Sequence, residues 1–123
     1  MAASTLPRTA RLTQGRDFKR VFQNASRVSD RCFTVLFRPN GGHGARLGMA
    51  VSRRKAPKAT DRNRIKRIIR ETFRHRRAEI GSNDIIVIPK PAAREATRTQ
   101  LHRCLSRLWG KVAAEWHVHS SSL

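Results

Sequence analysis

The stretch from Lys58 to Arg77, KATDRNRIKRIIRETFRHRR, constrains this chain more than any other. Wound at 3.6 residues per turn, it separates into two faces. Ile65, Ile68, Ile69, Thr72 and Phe73 follow the i, i+3, i+4, i+7, i+8 pattern of a helix that buries one side. Asn63, Lys66, Arg67, Arg70, Arg74 and Arg77 fall opposite, with Arg62 and Arg64 flanking the first turn. Thr60 or Asp61 is expected to cap the start, since a short side-chain oxygen accepts a free first-turn N–H. Exposed helices usually mix charge signs, because like charges four residues apart repel. Here Glu71 is the nearby acid against five or more cations, a face suited to a polyanion.

Composition agrees. Lys and Arg number 27 against 8 Asp and Glu, for a formal charge of +19. Such a field draws in polyanions from a distance. Of the 27 cations 21 are Arg, whose planar fork grips phosphate through two bonds and stacks on bases. No apolar run approaches the roughly 18 residues a membrane span needs, and MAASTLPRTARL lacks a signal-type apolar core. The class expected is a cytoplasmic nucleic-acid binder with no membrane partner. At 38% hydrophobic residues and 123 in all, the chain can close one core. Cys32 and Cys104 lack metal-ligand spacing and read as reduced, partly buried thiols.

In order, residues 1–12 read as a flexible basic arm, 13–116 as one domain and 117–123 as a disordered tail. Phe18, Val21, Phe22 and Ala25 give a short helix. On pattern alone its two phenylalanines belong to the core; the alternative is a surface on which a nucleotide stacks. Ser26 to Asp30 fits a brief edge strand. Cys32 to Arg38 alternates with period two, and Asn40 to Gly44 is a turn. Arg46 to Ser52 is the partner strand, with Gly48, Ala50 and Ser52 on one face. A face of such small residues lets a helix or an extended ligand come close. Gly81 stops the basic helix. Asp84 to Ile88 reads as an interior strand covered on both faces. Thr97 to Gln100 forms a capping box before a Leu-rich final helix. The fold class is therefore α+β, one sheet of about four strands in the order α-β-β-β-α-β-α.

The eight acids show no close pair, and no G-x-S-x-G, H-E-x-x-H or P-loop occurs. The expected role is binding and positioning, with no catalytic residue and no metal site on the chain itself.

The run Arg62-Asn63-Arg64-Ile65-Lys66-Arg67-Ile68-Ile69-Arg70-Glu71 resembles the RNR signature of the bacterial ribonuclease P protein subunit family. Arg16-Asp17-Phe18 with Val21-Phe22, the strand Arg46 to Ser52, the strand Asp84 to Ile88 and the Leu-rich helix occur in the family's order. The resemblance implies a ribonucleoprotein that removes the 5′ leader from precursor tRNA. In it the RNA is catalytic and uses Mg²⁺, and the protein has no obligate protein partner. Arg62, Asn63, Arg64, Lys66, Arg67 and Arg70 would contact the catalytic RNA. Phe18, Phe22, Leu36, Ala50 and Ser52 would line a cleft for the leader, which reverses the core assignment of the two phenylalanines. Leu36 stands where many members carry an aromatic. Arg53, Arg54, Lys58 and Arg74 add basic contacts. A left-handed crossover around the basic helix is also implied, against the usual hand. The competing readings are a general or ribosomal RNA-binding protein, a protein-only nuclease and, last, a DNA-binding protein.

Overall fold

The computed structural model describes residues 6–52 and 57–121, and the side chains of all of these except 119–121. Four strands form one sheet: β1 Ser26–Ser29, β2 Phe33–Pro39, β3 Arg46–Met49 and β4 Asn83–Pro89. The helices are α1 Gly15–Gln23, α2 Ala59–Ile80 and α3 Arg98–Ser121, with 3-10 turns at Arg8–Ala10 and Pro91–Arg94. The spatial strand order is β1-β2-β4-β3. β2 runs antiparallel to β1 and β4, whereas β3 runs parallel to β4, so α2 carries the crossover between two parallel neighbours.

Period-two alternation sorts the strands onto two faces. Phe33, Val35, Phe37, Leu47, Ile85 and Val87 enter the main core beneath α2 and α3. From α2 it takes Ile65, Ile68, Ile69 and Phe73, and from α3 Leu101, Leu105, Leu108, Trp109 and Val112. The indole N–H of Trp109 donates to the Thr72 hydroxyl at 2.9 Å, and its ring meets Phe73 edge-on at 5.6 Å. That bond explains a threonine in an otherwise apolar stripe, because a buried indole N–H requires an acceptor. β4 is an inner strand covered on both faces, as its unbroken apolar run requires: Ile85 and Val87 enter the main core, and Ile86 the cluster on the other face.

On the other face, Leu12, Val21 and Ile86 form a smaller cluster, with Phe18, Leu36, Ala50 and Ile88 half-buried around it. α1 lies over this face and is tied down by Arg38, whose guanidinium donates to the Arg20 carbonyl at 3.2 Å.

The punctuation marks act as read. Gly41, Gly42 and Gly44 turn with positive φ. Gly81, at φ 77°, ends α2. In the capping box, Thr97 N–H donates to Gln100 Oε1 at 2.8 Å and Gln100 N–H to Thr97 Oγ1 at 3.1 Å.

Several expectations are corrected. Residues 6–12 are no flexible arm: Leu6, Ala10 and Leu12 are buried, Arg11 bridges Leu47 in parallel, and Leu12 N–H donates to the Leu47 carbonyl. Apolar spacing there is too irregular to show from sequence that the segment has a berth. Residues 117–121 are no loose tail, because α3 continues to Ser121; 1–5 and 122–123 lie outside the described residues. Lys58 is the N-cap of α2 and makes no side-chain cap bond; Thr60 and Asp61 lie inside the first turn. There Asp61 favours the positive end of the helix dipole.

Candidate nucleic-acid interface

The wheel drawn from sequence holds for α2. With Ile65, Ile68 and Ile69 buried, Asn63 and Arg67 are exposed and Lys66, Arg70 and Arg74 half-buried. Among the described residues, ion pairs join Arg46 to Asp84 (2.7 Å), Arg76 to Glu79 (2.8 Å) and Arg98 to Glu71 (3.7 Å). None of them involves Lys66, Arg67 or Arg70. The face that sequence suggested for a polyanion is thus not neutralised by the protein's own carboxylates.

The six expected RNA-contacting residues do not form one uniform row. Arg64 reaches backward to the carbonyls of Ala96 (3.1 Å) and Arg94 (3.1 Å), fastening α2 to the turn before α3. Arg62 donates to the Pro57 carbonyl at 2.7 Å. These two spend part of their donor capacity inside the protein, which a helical wheel cannot reveal.

The remainder divides between two grooves. On one flank, Lys66 and Arg70 line a cavity of about 360 Å³ with Arg11, Leu12, Phe18 and Met49. On the other, Asn63, Arg64 and Arg67 line a groove of about 430 Å³ with Thr60 and Arg98. Arg11 and Arg98 were missed from sequence, since both are remote in the chain and brought in only by tertiary packing.

The sheet face beneath α1 unites most of the expected cleft residues. Leu36 pairs with Ile86 across β2 and β4, and Ile86 pairs with Gly48 across β4 and β3. Ala50 follows β3 and donates its N–H to the Val87 carbonyl at 3.0 Å. Phe18 covers Gly48: a Cβ placed there would meet its ring at 2.6 Å. The small residue at 48 therefore makes room for the protein's own phenylalanine. Phe22 is 53% exposed, so the pattern-based core assignment fails for it while Val21, at 1%, fills the core. Ser52 is exposed, three residues past the end of β3. Lys58 is exposed where α2 begins; Arg53 and Arg54 lie outside the described residues.

Among the described residues no three His, Cys, Asp or Glu side chains converge as a metal site needs, and no helix is long and apolar enough to cross a membrane. Cys32 is buried and Cys104 half-buried, both free thiols.

Comparison with known proteins agrees with this architecture. The family model described as Ribonuclease P matches residues 6–113. The ribonuclease P protein component of Thioalkalivibrio sulfidiphilus is 41% identical over 87% of this chain and 89% of its own. That of Nitrosococcus oceani is 44% identical over 83% and 86%. Among solved structures, the RNase P protein of Staphylococcus aureus superposes with a TM-score of 0.74 at 34% identity, covering 80% of this chain and 90% of that one. The Thermotoga maritima RNase P protein gives 0.66 at 38%, covering 79% and 96%. With the family model spanning most of the chain and these relatives matching nearly end to end, the chain belongs to the ribonuclease P protein component family.

Proposed function

We propose that this chain is the cytoplasmic protein subunit of ribonuclease P and assists a catalytic RNA in removing the 5′ leader from precursor tRNA. The observation that carries this reading is the trio Lys66, Arg67 and Arg70, held on α2 by buried isoleucines and, among the described residues, in no ion pair with a carboxylate. Cations fixed on a rigid helix contact phosphate without first ordering a flexible chain, so less binding energy is lost on association. Asn63, Arg62 and Arg64 extend the contact to the catalytic RNA, and Lys58 and Arg74 lengthen it. The hydrolytic chemistry is the RNA's, with its Mg²⁺. The protein's part is to neutralise phosphates where two RNAs approach, lowering the Mg²⁺ needed.

Phe18, Phe22, Leu36, Ala50 and Ser52 form the leader's surface. The exposed Phe22 offers an aromatic face, on which a base stacks regardless of its identity. A leader bound there adds affinity for precursor over mature tRNA, because the product lacks it.

The test is reconstitution with the catalytic RNA at low Mg²⁺. Wild type restores processing, and protein alone cleaves nothing. The variant Lys66→Glu, Arg67→Glu, Arg70→Glu keeps its circular dichroism and loses the rescue. Unaltered rescue by that variant, or cleavage by repurified protein without RNA, overturns the reading.

A further inference from the structure

Beyond that ridge, the C-terminal end of α2 carries a second basic cavity. It measures about 490 Å³, within the range of small-ligand sites. Arg74, Arg77 and the indole of Trp116 wall it, and Ala45, Ala78 and Gly81 form its floor.

Each wall is held in place by a specific contact. Trp116 packs so closely against Gly81 that any Cβ there would overlap the indole. Gly81 itself needs its positive φ of 77° to end α2. One glycine thus stops the helix and seats the aromatic. Arg77 is fixed by its Nε–H, which donates to the Ala45 carbonyl at 3.2 Å. Arg74 is buried at Nε without a hydrogen-bond partner, and its Nη2 lies 3.5 Å from His75. A buried donor left unmatched is costly, and a negative charge beside the guanidinium offsets that cost without touching the sealed atom. Asp84 does not supply it, since it already accepts two bonds from Arg46 and one from Asn40. Glu115 lines a separate groove, with Ser26, Phe37 and Asn83.

We infer that this cavity binds one unpaired ribonucleotide, its base stacked on Trp116 and its phosphate held by Arg74 and Arg77. An aromatic beside paired guanidinium groups suits single-stranded nucleic acid, where stacking and phosphate contact act together. The site meets the Lys66–Arg70 ridge at Arg74, which both share, while Arg77 and Trp116 belong to the cavity alone.

The chain has two tryptophans, and Trp109 is fully buried, so quenching by a ligand in the cavity reports on Trp116. Titrating isolated protein with a short oligoadenylate quenches this emission. Arg74→Gln removes no internal carboxylate contact; it weakens binding roughly fivefold or more and lowers the log–log salt slope by about 0.7. Trp116→Leu weakens binding similarly, and Arg74→Gln decides the matter should the Leu variant not fold. Lys66→Glu, Arg67→Glu, Arg70→Glu still shows the quench, which separates this site from the ridge. An Fe–EDTA tether on Ala78→Cys in the reconstituted holoenzyme then identifies the source of the nucleotide. Cuts in the catalytic RNA or in the precursor tRNA support the site and name its strand. Absence of quenching, wild-type affinity in Arg74→Gln, or no cuts in either RNA overturns it.

Discussion

Gly48 shows how a single side chain can carry two meanings. In the sequence a glycine among small residues on a strand leaves space, and the space reads as a place for a ligand. The ring of Phe18 occupies it, 2.6 Å from where a Cβ would stand. Gly48→Ala must push the half-buried ring of Phe18 outward, since a real Cβ does not sit that close to another atom. Overpacking of this kind costs about 1–3 kcal/mol, measurable by urea denaturation. Leader-dependent affinity should fall with it, because Phe18 lines the cleft. Cys104 is a second case. Its thiol is pushed up to about 12, by burial first and then by Asp30 and Cys32 beside it. The unfolded chain releases that proton near 9.0 while the folded chain keeps it. Stability from this group is therefore complete below pH 9 and declines as pH rises toward 12. Cys104→Ala should flatten the alkaline limb of a stability–pH curve, and the wild-type thiol should alkylate slowly at neutral pH.

α2 was the most legible element, because two independent signals, a 3.6-residue apolar stripe and a cationic face, point to the same orientation. The capping box at Thr97 and the stop at Gly81 were equally plain, since each depends on local chemistry alone. What the pattern hid were bonds between elements. Arg64 and Arg67 are both expected on the RNA and line one groove, yet Arg64 also holds two carbonyls before α3. Arg64→Gln should lower the melting temperature, each lost charge-assisted bond costing roughly 1.5–3 kcal/mol. Arg67→Gln should leave melting unchanged and weaken RNA binding, reducing the salt slope by about 0.7–0.9. Equal melting temperatures for the two variants would contradict this division. Short strands were found by alternation, but the ladder of β3 ends at Met49, opposite Val87, where the sequence carried it to Ser52, and beyond it Ala50 N–H still donates to the Val87 carbonyl.

At the scale of the whole molecule, charge foretold the kind of partner and said nothing of shape. The net +19 is spread over a fold whose sheet has a helix pair on one face and α1 on the other. The resemblance to a known family supplied the topology, since the crossover between β3 and β4 cannot be read from any local pattern. Least legible was the N-terminal segment. Its Leu6, Ala10 and Leu12 sit too irregularly for either period, and only the folded sheet gives them a place.

That berth has a practical consequence. Leu12 and Arg11 run alongside Leu47 and cover the outer side of β3. A shortened protein beginning at Thr13 would leave that strand's N–H and C=O groups open, a template on which a second molecule can pair. Such a truncation should raise the sedimentation coefficient with concentration, while the intact chain sediments as one species.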